Sequence, residues 1–355
     1  MKINGLKKVL KDKKLDLALF YSLGMDPNPN MVYFAQYYGA GALIAPKKQP
    51  PFLIVPEMEY GRAKSSFIKK VYSIDKKRFF DSISMILRKK RIKAKNIGID
   101  KSAFTLSAYN GFKKYFKSSK TKDLALDCLR LREIKTEEEI KTIKKAFGYS
   151  NKIINKAIKN FKKFKTESKA AAFLEYEAKK QGLEMSFPPI IASGKNASMP
   201  HHMPKNIRLQ KGFCVIDFGI KYKGYCTDIT RTIYIGKPTK QEKDIYNFLL
   251  KIQKDIIKNI KLNDNCGKLY ENCVKNLKNY SKYFTHGLGH GVGTEIHELP
   301  NLTLSSKGKI QKNIIFTIEP GIYIPNKLGI RIEDTILMGK NPVLLTKVAK
   351  DLLTK

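Results

Sequence analysis

A chain of 355 residues with 42% hydrophobic side chains exceeds one ordinary core and predicts one or two globular domains. Sixty-nine basic against 31 acidic side chains give a net charge of +38, but the excess is mostly lysine spread from end to end. That pattern fits a solvated surface and argues against a specific nucleic-acid partner, which would call for clustered Arg and aromatic side chains.

The opening "MKINGLKKVLKDKK" has no apolar core for a signal peptide, and no apolar run reaches membrane-spanning length, so a cytoplasmic protein with no membrane partner is expected. Short apolar runs at 15–21, 41–45, 51–56 and 96–100 read as strands, and "RFFDSISMILRKKR" at 78–91 carries apolar residues at helical spacing. Together they predict an α/β domain over residues 1–127 with a mixed or parallel sheet. The remainder, 128–355, opens near "LREIKTEEEI", where Thr136 and Glu139 form a capping box that starts a helix running to about Phe161.

A second helix at 167–181 ends at Gly182, suited to a left-handed cap. A third follows Thr239 and its capping partner Glu242 to about Ile260, and a fourth covers roughly 267–280. Strand-like runs at 188–194, 213–236, 313–324 and 329–338 make this half an α+β unit, with an antiparallel sheet covered by helices. The five cysteines are odd in number and never form Cys-x-x-Cys, so they read as reduced, buried thiols.

All five histidines fall in two clusters, His201 with His202, and His286, His290 and His297 inside "THGLGHGVGTEIHELP". Concentrating a scarce imidazole points to chemistry. In "VIDFGIKYKGYCTDITR", a turn centred between Tyr222 and Lys223 sets Asp217 opposite Asp228. Opposed like charges destabilise a sheet, and Asp is itself disfavoured in strands, unless a cation lies between them. A second hairpin centred on Asn326 sets Glu319 opposite Glu333. With His290 the set is two Asp, two Glu and one His. Four carboxylates balance two divalent cations, and an oxygen-rich set with one imidazole suits Mn²⁺ or Co²⁺.

"DFG" with "CTDITRT" eleven residues on, "THGLGHGVG", "HELP", "IEPGIY" and "RIED" resemble the motif series of the creatinase/prolidase-type metallopeptidases, which include prolidase, aminopeptidase P and methionine aminopeptidase. The resemblance covers the chain from about Thr136 onward. It implies a pita-bread catalytic domain behind a creatinase-like α/β domain, two divalent metal ions and a homodimer. By motif, Asp217 and His290 would each bind one metal, Asp228 and Glu333 would bridge both, and Glu319 would bind while acting as general base. His201 would contact substrate and assist proton transfer, and His297 would stabilise the oxyanion. His286 would support the site, whereas His202 is expected to be exposed. The glycines at 287, 289, 291 and 293 are expected to let the backbone approach the metals closely and to adopt positive φ.

"RIED" and the preceding domain resemble prolidase and aminopeptidase P more than methionine aminopeptidase. The implied activity is hydrolysis, by metal-activated hydroxide, of the bond between an N-terminal residue and proline in Xaa-Pro dipeptides or Xaa-Pro-Yaa peptides. Arg331 shares a strand face with Glu333 and would anchor that carboxylate or a substrate's. Many relatives carry Arg after the His-Glu-x-Pro segment where this chain has Asn301, a departure that weakens selection of a free dipeptide C-terminus. The alternative is a non-catalytic pita-bread binding protein for nucleic acid or proteins. Such relatives have typically lost metal ligands, and all five are present here.

Overall fold

The computed structural model describes residues 2–24, 27–74 and 79–355, which divide into two compact units, Met1–Arg132 and Glu133–Lys355. The boundary expected at 127/128 falls slightly earlier, within the Ala125–Glu133 helix.

The first unit is built on a six-stranded mixed sheet. Leu17–Ser22, Gly41–Pro46 and Phe52–Pro56 form an antiparallel centre, extended by parallel pairing to Val71–Ile74 on one side and to Asn96–Ile99 and Lys120–Asp123 on the other. The three antiparallel strands are almost continuously apolar and buried because both faces are covered, whereas the edge strand Lys120–Asp123 is polar and exposed. Ala18 and Phe20 face one cluster with Leu6, Leu10 and Phe34, while Leu17 and Leu19 face another with Ile83, Leu87 and Phe112. The helix expected at 78–91 spans Phe79–Lys89, and Arg78 lies outside the described residues.

In the second unit one order of elements occurs twice. Helices Glu137–Asn160 and Glu167–Lys179 precede a hairpin of Gly212–Phe218 with Ile229–Ile235. Helices Lys240–Asn259 and Cys266–Leu277 precede a second, in which Ile315–Ile318 and Gly321–Ile324 return as Leu328–Arg331 and Asp334–Met338. Both leading helices start with a complete capping box, Thr136 with Glu139 and Thr239 with Glu242. Gly182 takes φ 69°, which stops the second helix as its left-handed preference allows. Each half buries its own core, around Phe147, Leu174 and Ile216 in one and around Leu249, Phe316 and Ile336 in the other. All five cysteines are free and buried. Among the described residues no helix is long and apolar enough to cross a membrane.

Hairpin register sets where the charged residues lie. In the second hairpin the pairs Ile318 with Asp334 and Gly321 with Arg331 have the expected centre, and Asn326 occupies the turn at φ 56°. Glu319 and Glu333 fall in the break between the paired stretches. In the first hairpin the turn lies two residues along the sum of pairs: Tyr222 pairs with Tyr225, and Asp217 faces Thr230 rather than Asp228. The cause is local. Lys223 and Gly224 take φ 48° and 79°, the two positive values a type I′ turn requires, so the turn centres between them. A shift of two preserves the side-chain face, so Asp228 remains on the face of Asp217, diagonal to it.

The capping hydrogen bonds at Thr239 are solvent-exposed, although Glu242 also accepts from core Tyr234, so replacing Thr239 alone tests local helix energetics. Thr239→Ala removes the acceptor for the Glu242 amide and should lower unfolding free energy by about 1 kcal/mol in a urea titration.

Candidate metal centre

The two hairpins are stitched together by side chains of "CTDITRT" and by Thr335. Thr230 Oγ1 donates to Glu333 Oε2 at 2.8 Å, Thr232 Oγ1 to the Arg331 carbonyl at 2.8 Å, and Thr335 Oγ1 to the Asp228 carbonyl at 2.8 Å. Arg231, 2% exposed, donates to the Glu333 carbonyl and pairs with Asp334 at 2.7 Å. These contacts hold Asp228 and Glu333 together at the junction, both buried.

His290 approaches from the Gly289–Gly291 strand. That strand lies so close to its neighbours that a Cβ on Gly289 would stand 2.0 Å from the Thr317 carbonyl oxygen, and one on Gly291 2.0 Å from that of Leu299. None of Gly287, Gly289, Gly291 or Gly293 is among the residues with positive φ. Close packing against neighbouring strands, without a left-handed backbone, requires glycine here, which corrects the expected positive φ. His290 Nδ1 lies 3.1 Å from the Gly291 carbonyl, which fixes the proton on that nitrogen and leaves the Nε2 lone pair free. Nε2 stands 3.3 Å from Glu319 Oε1 and 3.5 Å from Asp228 Oδ2, and burial lowers the imidazole pKa. Ligand atoms of Asp228, His290 and Glu333 lie within 4.8 Å of one another.

The donor chemistry fits divalent cations. Among the described residues, Asp217 Oδ1, Asp228 Oδ1 and Glu333 Oε1 are buried without a hydrogen-bond partner, a costly state for a carboxylate that a coordinated ion relieves. The pKa of Asp228 is pushed up by burial and then by Glu333, Asp217 and Glu319; that of Glu333 is raised by burial, Glu319 and Asp217. Glu319 is oriented by a 3.1 Å hydrogen bond from Thr317 Oγ1, whose oxygen also accepts the His290 amide at 3.0 Å.

Arg331 is 3% exposed. It donates to Asp217 Oδ2 at 2.7 Å, to Thr230 Oγ1 at 3.1 Å, to the Tyr323 hydroxyl at 2.8 Å and to the Pro200 carbonyl at 3.2 Å. It therefore anchors Asp217 directly and Glu333 through Thr230, which leaves no place for the other expected role, holding a substrate carboxylate. The Tyr323 hydroxyl, with burial raising its pKa to about 12, donates in turn to His286 Nε2 at 2.9 Å, while His286 Nδ1 lies 2.8 Å from the Gly287 carbonyl. Both ring nitrogens are thus occupied, burial lowers the pKa, and His286 is a neutral brace 4.0 Å from Glu319 Oε2.

His201 and His297 are exposed at a cavity of about 440 Å³ whose wall includes Asp217, Asp228, Glu319 and Glu333. The His297 ring meets His290 edge-on at 4.3 Å, and partial burial followed by His290 lowers its pKa. Each of these two histidines rides on a segment pinned by a buried carboxylate. Glu298 Oε1 accepts from the Thr294 amide and hydroxyl and the Glu295 amide, while Oε2 pairs with buried Lys135 at 3.2 Å. Glu167 accepts from Ser193, Asn196 and the Lys205 amide and lies 2.8 Å from His202 Nε2. His202, expected to be exposed, is 4% exposed because it completes this clamp.

Sequence reading passed over Thr230, Thr232, Thr317, Tyr323, Arg231 and Glu167. The Thr at two-residue spacing from Asp228 and Glu319 carried a usable signal, since i and i+2 share a strand face. Nothing local marks Glu167, whose partners lie 26 or more residues away.

Residues 141–340 match the family model of Metallopeptidase family M24, and residues 2–134 that of the Creatinase/Prolidase N-terminal domain. The chain is 36% identical to the Xaa-Pro dipeptidase of Pyrococcus furiosus over 331 residues, covering 91% of this chain and 92% of the relative. The solved prolidase of Pyrococcus horikoshii superposes with a TM-score of 0.89 at 33% identity, covering 99% of each chain. The X-Pro aminopeptidase of Thermotoga maritima also gives 0.89, at 27% identity and 99% of each chain.

Burial pushes the Glu167 pKa up, but hydrogen bonds from Asn196 and Ser193 outweigh it and hold the value below the ordinary 4.5. A depressed carboxyl pKa stabilises above the unfolded value and loses that contribution as pH falls through the folded one. Glu167→Gln should therefore cost about 1–3 kcal/mol at pH 7, with the gap to wild type closing below pH 4.5 in thermal unfolding.

Proposed function

Because the chain belongs to metallopeptidase family M24, with a pita-bread catalytic unit behind a creatinase-type domain, we propose that it is a dinuclear metal-dependent peptidase that releases the N-terminal residue from peptides with proline second. That it is a prolidase-type peptidase follows from its relatives. The observation that carries the finer reading is the convergence of three unpartnered carboxylate oxygens, from Asp217, Asp228 and Glu333, with His290 Nε2 and Glu319.

Asp217, Asp228, His290, Glu319 and Glu333 would hold two divalent ions, Mn²⁺ or Co²⁺ by donor type. When bound, the ions would acidify water and polarise the scissile carbonyl. The chain's own groups supply the rest. Glu319, with one oxygen fixed by Thr317, receives the water proton. His297, kept neutral, donates to the carbonyl oxygen as negative charge develops. His201, at the cavity rim, contacts the substrate and assists delivery of a proton to the departing proline nitrogen, which has no hydrogen of its own in the peptide bond. Arg331, braced by Tyr323 and His286, holds Asp217 in place. A homodimer in the cytoplasm belongs to the same reading, supported by the family resemblance and the buried free thiols.

Metal-stripped protein should release alanine from Ala-Pro or Ala-Pro-Ala only after Mn²⁺ or Co²⁺ is added, and should leave Met-Ala-Ser intact. Equal turnover of Met-Ala-Ser would refute proline selectivity. Asp228→Asn should abolish turnover and lower bound metal. Because it removes one of several crowded buried charges, the stripped variant should melt no lower than stripped wild type. Wild type alone should then gain about 2.7 kcal/mol at metal concentrations 100-fold above Kd. A variant that remains active, or gains as much as wild type, would contradict the bridging role.

A further inference from the structure

Lysines that are spread along the sequence are gathered by the sheet of the first unit. Strands Leu17–Ser22, Phe52–Pro56, Val71–Ile74, Asn96–Ile99 and Lys120–Asp123 run in one direction, and Gly41–Pro46 runs against them. One end of the sheet therefore collects the segments that lead into five strands and the one that leaves the sixth. Those segments are "KDKKLD" at 11–16, "KK" at 47–48, "KK" at 69–70, "KKRIKAK" at 89–95 and "KSSK" at 117–120, fourteen lysines and arginines against Asp12 and Asp16. Hydrogen bonds join them into one surface: the Lys120 amide donates to the Lys95 carbonyl at 2.8 Å, and Gln49 Nε2 to the Lys90 carbonyl at 3.4 Å.

Little on this end neutralises the charge. Most of the fourteen side chains are exposed, and among the described residues Lys13 alone pairs with a carboxylate, that of Asp127 at 3.0 Å. Asp16 is turned inward and accepts the Asn96 amide at 2.8 Å. Lys90 Nζ stands 5.1 Å from the ring centre of Tyr72 and 5.5 Å from that of Phe52. Burial pushes the Tyr72 phenol up, yet the Lys90 and Lys70 ammoniums outweigh it and lower its pKa, as an unbalanced positive field does. The opposite end differs: the described residues at or directly beyond the strands there include Glu57, Glu59, Asp100 and Asp123 against Lys101.

A row of cations fits an anion that is itself a row. Six strands about 4.8 Å apart span roughly 25 Å, a length over which a nucleic-acid backbone presents phosphates without a break. Lysine meets phosphate as a point charge and reads no base, so the lack of clustered arginine that argues against sequence recognition is no obstacle here. Tyr115, 44% exposed and two residues before "KSSK", offers a ring face on which an unpaired base can stack. The exposed aliphatic side chains Leu23, Met58 and Leu106, which a membrane or an apolar protein face would engage, follow the opposite strand ends.

We propose that this end of the first unit's sheet is a docking surface for nucleic acid, held through backbone phosphates without regard to base sequence. It stands independently of the peptidase reading.

The test is fluorescence anisotropy of the full-length protein with two labelled ~20-base-pair DNA duplexes of unrelated sequence. Both should bind with affinities within twofold of each other, falling at least tenfold between about 50 and 200 mM salt. Replacing Lys89, Lys93, Lys95 and Lys120 together by Gln should weaken binding at least tenfold and reduce the salt slope by about three to four. A control with the exposed Lys251, Lys254, Lys258 and Lys275 of the second unit replaced by Gln has the same net charge and should lose less than twofold. Both variants should melt with wild type. A readout that needs no variant is acetylation of wild type, in which bound duplex should protect Lys89, Lys93, Lys95 and Lys120 but not the four control lysines. Absence of binding, an equal loss in the control, or uniform protection overturns the proposal, because net charge alone would then account for any association. Tighter binding to phosphatidylserine vesicles or to polyglutamate than to duplex at matched charge overturns the choice of nucleic acid.

Discussion

Four carboxylates gathered at the junction of two hairpins are the constraint on which the second unit depends. Two unit charges about 4 Å apart repel by roughly 4 kcal/mol at an effective dielectric of about 20, while a whole domain is stable by only about 5–15 kcal/mol. Such a cluster survives only where its geometry is enforced from outside and its charge is neutralised. Arg331 supplies one positive charge, to Asp217. The remaining negative charge is what gives divalent ions a reason to bind, and it explains why burial and mutual repulsion raise the Asp228 and Glu333 pKa values.

The enforcing structure is duplicated in kind. Each half contributes two helices and a hairpin with two acidic residues at its break or flank, and threonines at two-residue spacing fasten one hairpin to the other. The two exposed cavity histidines are treated differently. His201 and His297 stay exposed, yet their segments are tied down by Glu167 and Glu298, carboxylates buried away from the cluster. Acidic side chains therefore serve two purposes here: some are left unpartnered to receive cations, and others have every oxygen occupied and hold loops.

This division explains how much was legible beforehand. The motif order pointed to the fold and to five candidate ligands, because metal ligands must be Asp, Glu or His at spacings that strands impose. Element positions followed from capping boxes and apolar runs, with helix ends off by only a few residues. The first hairpin's register was not legible, because a lysine with positive φ before Gly224 is uncommon and shifts the turn by one residue. The same register error left the face assignment intact, since a shift of two preserves it. The roles of His202 and Glu167 were hidden because they depend on contacts between distant segments, and adjacency in sequence made His202 look like His201. The glycines near His290 proved necessary for a different reason from the one expected: they let strands pack backbone to backbone, and none takes a positive φ.

The most direct test of this account is the stoichiometry of metal binding, measured by titrating Mn²⁺ into stripped protein and counting retained ions per chain by elemental analysis. Two ions per chain, falling when Asp228 or Glu333 is converted to its amide, is the predicted result. Retention of none, or an unchanged count in both amide variants, would contradict the claim that the buried carboxylate cluster exists to hold a metal pair.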